Sequence, residues 1–87
     1  MILTEKVLTV KNPMGLHLRP AQELCGRAAT FESRIEICFR NKMFNAKSLL
    51  SVLSACVQQE DTIRLVCTGA DETEAAEQLA DFIEHGM

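Results

Sequence analysis

The 87-residue sequence contains no tryptophan and no tyrosine, and only four phenylalanines. A core must therefore be built mainly from Leu, Ile, Val, Ala and Cys, and platforms for stacking nucleobases are nearly absent. Positive charge is not in excess: nine Lys and Arg stand against twelve Asp and Glu, a formal net charge of −3. That leaves no broad basic field for nucleic acid or an anionic membrane surface. Apolar runs are short. Glu5 and Lys6 interrupt the N-terminal MILTEKVLTV, so neither a signal sequence nor a membrane span is expected. C-x-x-C pairs are also lacking. Cys25, Cys38, Cys56 and Cys67 stand far apart with no neighbouring His cluster, which argues against a zinc site and a disulfide framework. The expectation is four buried or half-buried thiols in a cytoplasmic chain, with no metal and no cofactor.

What is present suits one small domain over residues 1–87. Hydrophobic residues make up 47% of the chain, enough for a packed core and too many for disorder. Repeats and low-complexity tracts are not apparent. The segment Ile2 to Val10 is rich in β-formers and reads as a strand, ended by the breakers Asn12-Pro13-Met14-Gly15. Ala21, Leu24, Cys25 and Ala28 then follow helical spacing, predicting a helix from Leu18 to about Ala29. Pro20 is compatible with its first turn, where the missing amide has no intrahelical partner. Ile35, Ile37 and Phe39 share one face, with mainly charged residues on the other, in a strand from Arg34 to Arg40. A tight turn at Asn41-Lys42 leads to a short strand, Met43 to Ala46. Leu49, Val52, Leu53 and Cys56 predict a short helix with Ser48 as its N-cap. Thr62 to Thr68 alternates again, with Ile63, Leu65 and Cys67 on one side. Asp71 and Glu74 stand at capping-box spacing before a last helix whose buried stripe is Ala75, Ala76, Leu79, Phe82 and Ile83. Three amphipathic helices and a mainly antiparallel sheet define an α+β class.

One run carries chemistry: Gly15-Leu16-His17-Leu18-Arg19-Pro20-Ala21. With His17 at the N-cap of the first helix, the amides of Leu18 and Arg19 leave the helix end without intrahelical acceptors. An imidazole placed there adjoins free N–H donors and the positive end of the helix dipole. Arg19 supplies a guanidinium fork that fits phosphate oxygens. A free imidazole has a pKa of about 6.5, so near neutral pH it is largely unprotonated and nucleophilic. Phosphoryl transfer asks a protein mainly for position and electrostatics, and these groups supply both. The bland counterpart is a capping or solvated surface histidine followed by a solvated arginine.

This run resembles the phosphorylation motif of the HPr family of the phosphoenolpyruvate-dependent phosphotransferase system (PTS). That family carries G-[LM]-H-[AT]-R-P-A, which GLHLRPA matches at all but one position. Asn45-Ala46-Lys47-Ser48-Leu49-Leu50 is similar to the family's regulatory serine segment, and the order of elements agrees along the chain. The resemblance implies an open-faced β-sandwich of βαββαβα order, a four-stranded antiparallel sheet with three helices on one face. It implies a phosphocarrier, not an enzyme: His17 phosphorylated on Nδ1 by enzyme I, with Arg19 clamping the phosphate, then discharged to enzyme IIA domains. Leu18, Leu49 and Leu50 would dock these partners, although core packing is the alternative for the last two. Ser48 would be a site for HPr kinase/phosphorylase, with a transcriptional regulator as a further partner, or simply a helix cap. The carrier would be a cytoplasmic monomer. Two departures stand out: Leu18 replaces the usual Ala or Thr, and Cys56 to Asp61 lacks the glycines common after the second helix.

Within the resemblance, a nitrogen-type or regulatory PTS relay is the alternative to sugar uptake. Outside it, an RRM-like nucleic-acid module is disfavoured by charge and by having only Phe39 and Phe44 on its strands. A small-molecule sensor domain would leave GLHLRPA unexplained. A histidine phosphatase would need a second catalytic group, and His85, near the C-terminus, reads better as a favourable charge at a helix end.

Overall fold

The computed structural model describes residues 3–86. The elements run β1 (Thr4–Thr9), α1 (Leu18–Ala28), β2 (Arg34–Phe39), β3 (Lys42–Asn45), α2 (Leu49–Ser54), β4 (Thr62–Thr68) and α3 (Glu72–Asp81). A π-helical turn, Phe82–Gly86, extends α3. The strands form one sheet in the order β1-β4-β2-β3, with every neighbouring pair antiparallel. This is the α+β class that the residue pattern predicts and the open-faced sandwich that the resemblance implies.

The period of two along each strand sorts the side chains. Leu8, Ile35, Ile37, Phe39, Ile63, Leu65 and Cys67 are buried on the helix-covered face. They meet Ala21, Leu24 and Ala28 from α1, Val52 from α2, and Ala75, Ala76 and Leu79 from α3, with Phe82 and Ile83 just beyond. Each large aliphatic buried this way contributes about 1.5–3 kcal/mol. Phe39 and Phe44, which pairs with Ile37, belong to this inner side, so neither offers a stacking platform on the open face. The open face carries Val7, Arg64, Cys38 and Met43 in one cross-sheet row. Val66 also points outward, yet it is buried. Glu5 and Glu36 flank it in register on the two neighbouring strands, where long side chains can shelter it.

Several boundaries differ from the sequence expectation. The first strand spans Thr4–Thr9; its expected start at Ile2 lies outside the described residues. The hairpin turn is centred on Arg40 and Asn41, one residue earlier than expected, because Phe39 pairs with Lys42. Both turn residues have positive φ, 52° and 63°, the type I′ geometry whose twist matches a two-residue hairpin. Ser48 does cap α2, its Oγ accepting the Ser51 N–H at 3.3 Å. That helix ends at Ser54, however, and Cys56 lies beyond it, exposed, at φ 54°. Cys56 is therefore no part of a buried stripe, and the thiol expectation holds only for the other three. Cys25 and Cys38 are half-buried and Cys67 is buried.

The capping box does not form. Asp71 is the N-cap residue of α3, but its side chain makes no capping bond. Its carboxylate turns instead to the chain entering β2, accepting the N–H groups of Glu32 and Ser33, each at 2.9 Å, and the Ser33 hydroxyl. Three donors from a distant loop outcompete one local amide. Glu72 replaces the local contact, accepting the Gly69 N–H at 3.1 Å and the Thr4 hydroxyl at 2.9 Å.

This corner makes stability pH-dependent at both ends. The Ser33 hydroxyl, then the Glu32 and Ser33 amides, hold the Asp71 carboxyl below its ordinary value. A depressed folded pKa gives stability that is present above the ordinary carboxylate range and lost as pH falls through the folded value. Burial, then the charges of Glu72 and Asp71, push the Cys67 thiol up to about 11. The unfolded thiol ionises near 9.0, so stability is lost as pH rises from there toward 11. Urea midpoints measured across pH should therefore fall at both extremes. Asp71→Asn is expected to flatten the acid limb and Cys67→Ala the alkaline one.

Candidate functional site

The site is assembled from two loops before it reaches a helix. Asn12 closes a turn twice: its carbonyl accepts the Gly15 N–H at 2.8 Å, and its side-chain Nδ2 donates to the Gly15 carbonyl at 2.7 Å. Gly15 has φ +63°, and a Cβ there would fall 2.3 Å from the Val57 carbonyl oxygen and 2.8 Å from Gln58 Cα. Only glycine allows this backbone-to-backbone approach. Leu16 follows, buried, its N–H donated to the Val57 carbonyl at 3.0 Å. Arrival at the helix is thus fixed from both sides.

His17 is the N-cap residue of α1, with extended backbone angles of φ −80° and ψ −172°. Its carbonyl accepts the Ala21 N–H at 3.0 Å, the first bond of the helix. The imidazole makes no capping bond and is exposed. The fold therefore uses the backbone of His17 and leaves its side chain available. Leu18 and Arg19, the next two residues, are exposed as well. Their amides have no intrahelical acceptor, and buried Pro20 contributes no N–H of its own. No acidic residue occupies this first turn, so the positive end of the helix dipole is not neutralised locally. An anion on the imidazole would meet N–H donors and a guanidinium within one turn of chain.

The expected docking leucines separate. Leu18 is 54% exposed and Leu50 80%, whereas Leu49 is partly buried against the core. Helices α1 and α2 pack together. The Leu16–Val57 bond joins the start of α1 to the chain leaving α2, and Lys47 Nζ reaches the Phe31 carbonyl, beyond the end of α1, at 2.7 Å. Ser48 is half-buried at the start of α2, its hydroxyl already engaged as a cap. Met14, 66% exposed three residues before His17, adds apolar surface that its place in the breaker Asn12-Pro13-Met14-Gly15 does not signal. Nor does anything local signal the double closure by Asn12, which needs the Gly15 conformation. His85 is exposed in the terminal turn. Among the described residues, no three His, Cys, Asp or Glu side chains gather as metal ligands, and no helix is long and apolar enough to cross a membrane.

A small open-faced sandwich with an exposed histidine at the start of its first helix, making no hydrogen bond among the described residues, is the arrangement that the resemblance to the HPr phosphocarriers implies. The family model described as "PTS HPr component phosphorylation site" matches residues 4–85. Phosphocarrier protein HPr of Lysinibacillus sphaericus is 39% identical over 75 residues, covering 86% of this chain and 85% of the relative. The crystal structure of HPr from Bacillus anthracis superposes with a TM-score of 0.93 at 30% identity, covering 97% of this chain and 100% of that one. Crh from Bacillus subtilis, a catabolite repression protein solved as a dimer with a swapped domain, gives a TM-score of 0.76 at 33% identity, with 87% of each chain covered. The chain belongs to the HPr family of the PTS. It is a phosphocarrier and not an enzyme.

Proposed function

We propose that Nδ1 of His17 accepts a phosphoryl group from phospho-enzyme I and delivers it to an enzyme IIA domain. The observation that carries this is the exposed imidazole at the N-cap of α1, unpaired and followed by the amides of Leu18 and Arg19. The Nδ1 lone pair attacks phosphorus in line with the bond that holds it to the donor, and that bond breaks as its electron pair leaves with the donor. The same exchange runs in reverse toward the acceptor. Charge on the three equatorial oxygens is met by the helix end and by Arg19 in both directions. A carrier needs little preference between donor and acceptor, and an open site of amides and one guanidinium has little.

Leu18 and Leu50, with a contribution from Leu49, form the apolar dock for these partners. Ser48 is a regulatory site for HPr kinase/phosphorylase. A phosphate there adds negative charge at the start of α2, on the docking side, weakening enzyme I recognition. Residues 1–87 act as one HPr-like domain, cytoplasmic and monomeric. The swapped Crh dimer makes light scattering the check on that state, with a dimeric mass the contrary result. A second reading, a regulatory carrier acting in catabolite repression, is supported by the likeness to Crh. Retention of His17 favours the transfer role. Incubation with phosphoenolpyruvate, magnesium and cognate enzyme I should give a single acid-labile phosphoryl adduct by intact mass. Absence of any adduct contradicts the proposal.

Arg19→Ala should slow phosphoryl transfer about ten- to a hundredfold, the loss of one charge-assisted contact to phosphate, with little change in melting temperature because the side chain is exposed. Rapid-quench transfer from phospho-enzyme I measures it, and a rate equal to wild type removes the clamp role.

A further inference from the structure

The His17 turn is one half of a paired structure. Its partner is the turn Gln58–Asp61, which is closed in the same double fashion. The Asp61 N–H donates to the Gln58 carbonyl at 3.1 Å, and the Asp61 side-chain Oδ2 accepts the Gln58 N–H at 2.8 Å. The two turns are then joined by backbone bonds. Val10 N–H donates to the Asp61 carbonyl at 3.0 Å, Glu60 N–H to the Val10 carbonyl at 2.7 Å, and Leu16 N–H to the Val57 carbonyl at 3.0 Å. Gly15 is pressed directly against Val57 and Gln58. The second turn holds this shape without glycine, Glu60 adopting φ 72° and Cys56, just before it, φ 54°. A side chain on each turn, Asn12 on one and Asp61 on the other, supplies the second closure.

We propose that Asn12 and Asp61 are positioning residues for phosphoryl transfer, an inference that rests on the phosphocarrier reading above. Neither is assigned contact with the phosphoryl group. Asn12 fixes the peptide of Gly15, two residues before His17. Asp61 fixes the peptide of Gln58, against which Gly15 is seated. Together they set the direction in which the His17 side chain leaves the helix end. In-line transfer to an imidazole tolerates little displacement, so loosening either closure acts on the chemical step and not on partner binding.

The test is single-turnover transfer from phospho-enzyme I, with maximal rate and half-saturating donor concentration measured separately for each folded variant. Asn12→Asp keeps the size of the side chain and removes the Nδ2 donor; Asp61→Ala removes the acceptor. Both are expected to lower the maximal rate about tenfold and leave the half-saturating concentration unchanged. Asp61→Asn retains an acceptor oxygen and should transfer as wild type. So should Lys11→Ala, which removes only the exposed 3.5 Å ion pair to Glu60 on the same two loops. A purely structural role would lower the melting temperature and leave the maximal rate of folded protein unchanged. Wild-type maximal rates for Asn12→Asp and Asp61→Ala overturn the proposal while leaving the carrier intact. Should Asp61→Ala fail to fold, Asn12→Asp against wild type decides the matter alone. Wild-type protein that accepts no phosphoryl group refutes the carrier reading itself and this proposal with it.

Discussion

Replacing His17 by alanine is expected to abolish phosphoryl acceptance and to leave the fold and its melting temperature nearly unchanged. Both halves follow from the same geometry. The imidazole is exposed and makes no capping bond, so its removal breaks no interaction that supports α1. The backbone contribution of His17, a carbonyl accepting the Ala21 N–H, survives the substitution. Alanine is a poor N-cap, yet a histidine that makes no capping bond forfeits little by the exchange. Transfer is lost outright because, among the described residues, His17 is the nucleophile at the helix end, the turn and first helical residues around it being Met14, Gly15, Leu16, Leu18, Arg19 and Pro20. His85, exposed in the C-terminal turn, belongs to another element. Thermal melts by circular dichroism and intact mass after incubation with enzyme I and phosphoenolpyruvate check the two halves. A variant that still accepts phosphate on nitrogen moves the site elsewhere.

Gly15→Ala should have the opposite profile, a large loss of stability from a methyl group. The φ of +63° costs a non-glycine residue about 1–2 kcal/mol. The new Cβ would also overlap the Val57 carbonyl oxygen at 2.3 Å and Gln58 Cα at 2.8 Å, both backbone atoms that have no rotamer to yield. Separating the two loops enough to admit it stretches or breaks the Leu16–Val57 bond and lifts buried Leu16. Together these should cost about 3 kcal/mol or more, a fall in melting temperature on the order of 15 °C for a domain of this size. Thermal denaturation measures it. A shift of only a degree or two would mean that the loop contact is not needed by the fold.

The two variants show what was legible in the sequence. GLHLRPA could be read because its constraints are local: a cap position, a proline tolerated only in the first turn, a glycine beside them. The strand faces were equally readable, since Ile35, Ile37, Phe39, Ile63, Leu65 and Cys67 obey a period of two. Where tertiary contacts decide, the local pattern misled. Asp71 and Glu74 have the spacing of a capping box, yet the backbone of Glu32 and Ser33 arrives from 38–39 residues away with better donors. Cys56 continues the apolar spacing of α2, but that helix must stop early for the chain to turn back beneath Gly15. Outward-facing Val66 breaks the alternation because long charged side chains on neighbouring strands can shelter it. Leu49 and Leu50 are adjacent and chemically identical, and only the orientation of a six-residue helix makes one half-buried and the other 80% exposed. The pairing of Asn12 with Gly15, and of that turn with Gln58–Asp61, has no sequence signature, since it joins segments brought together by β1 and β4.

The central claim is that the imidazole at the start of α1 carries the phosphoryl group. The most direct measurement is heteronuclear NMR of protein with ¹⁵N-labelled histidine, recorded before and after phosphorylation by enzyme I and phosphoenolpyruvate. A phosphorus–nitrogen coupling at Nδ1 of His17, with His85 unchanged, is the predicted result. A coupling at His85, or phosphate found on Ser48 with both imidazoles untouched, would contradict it.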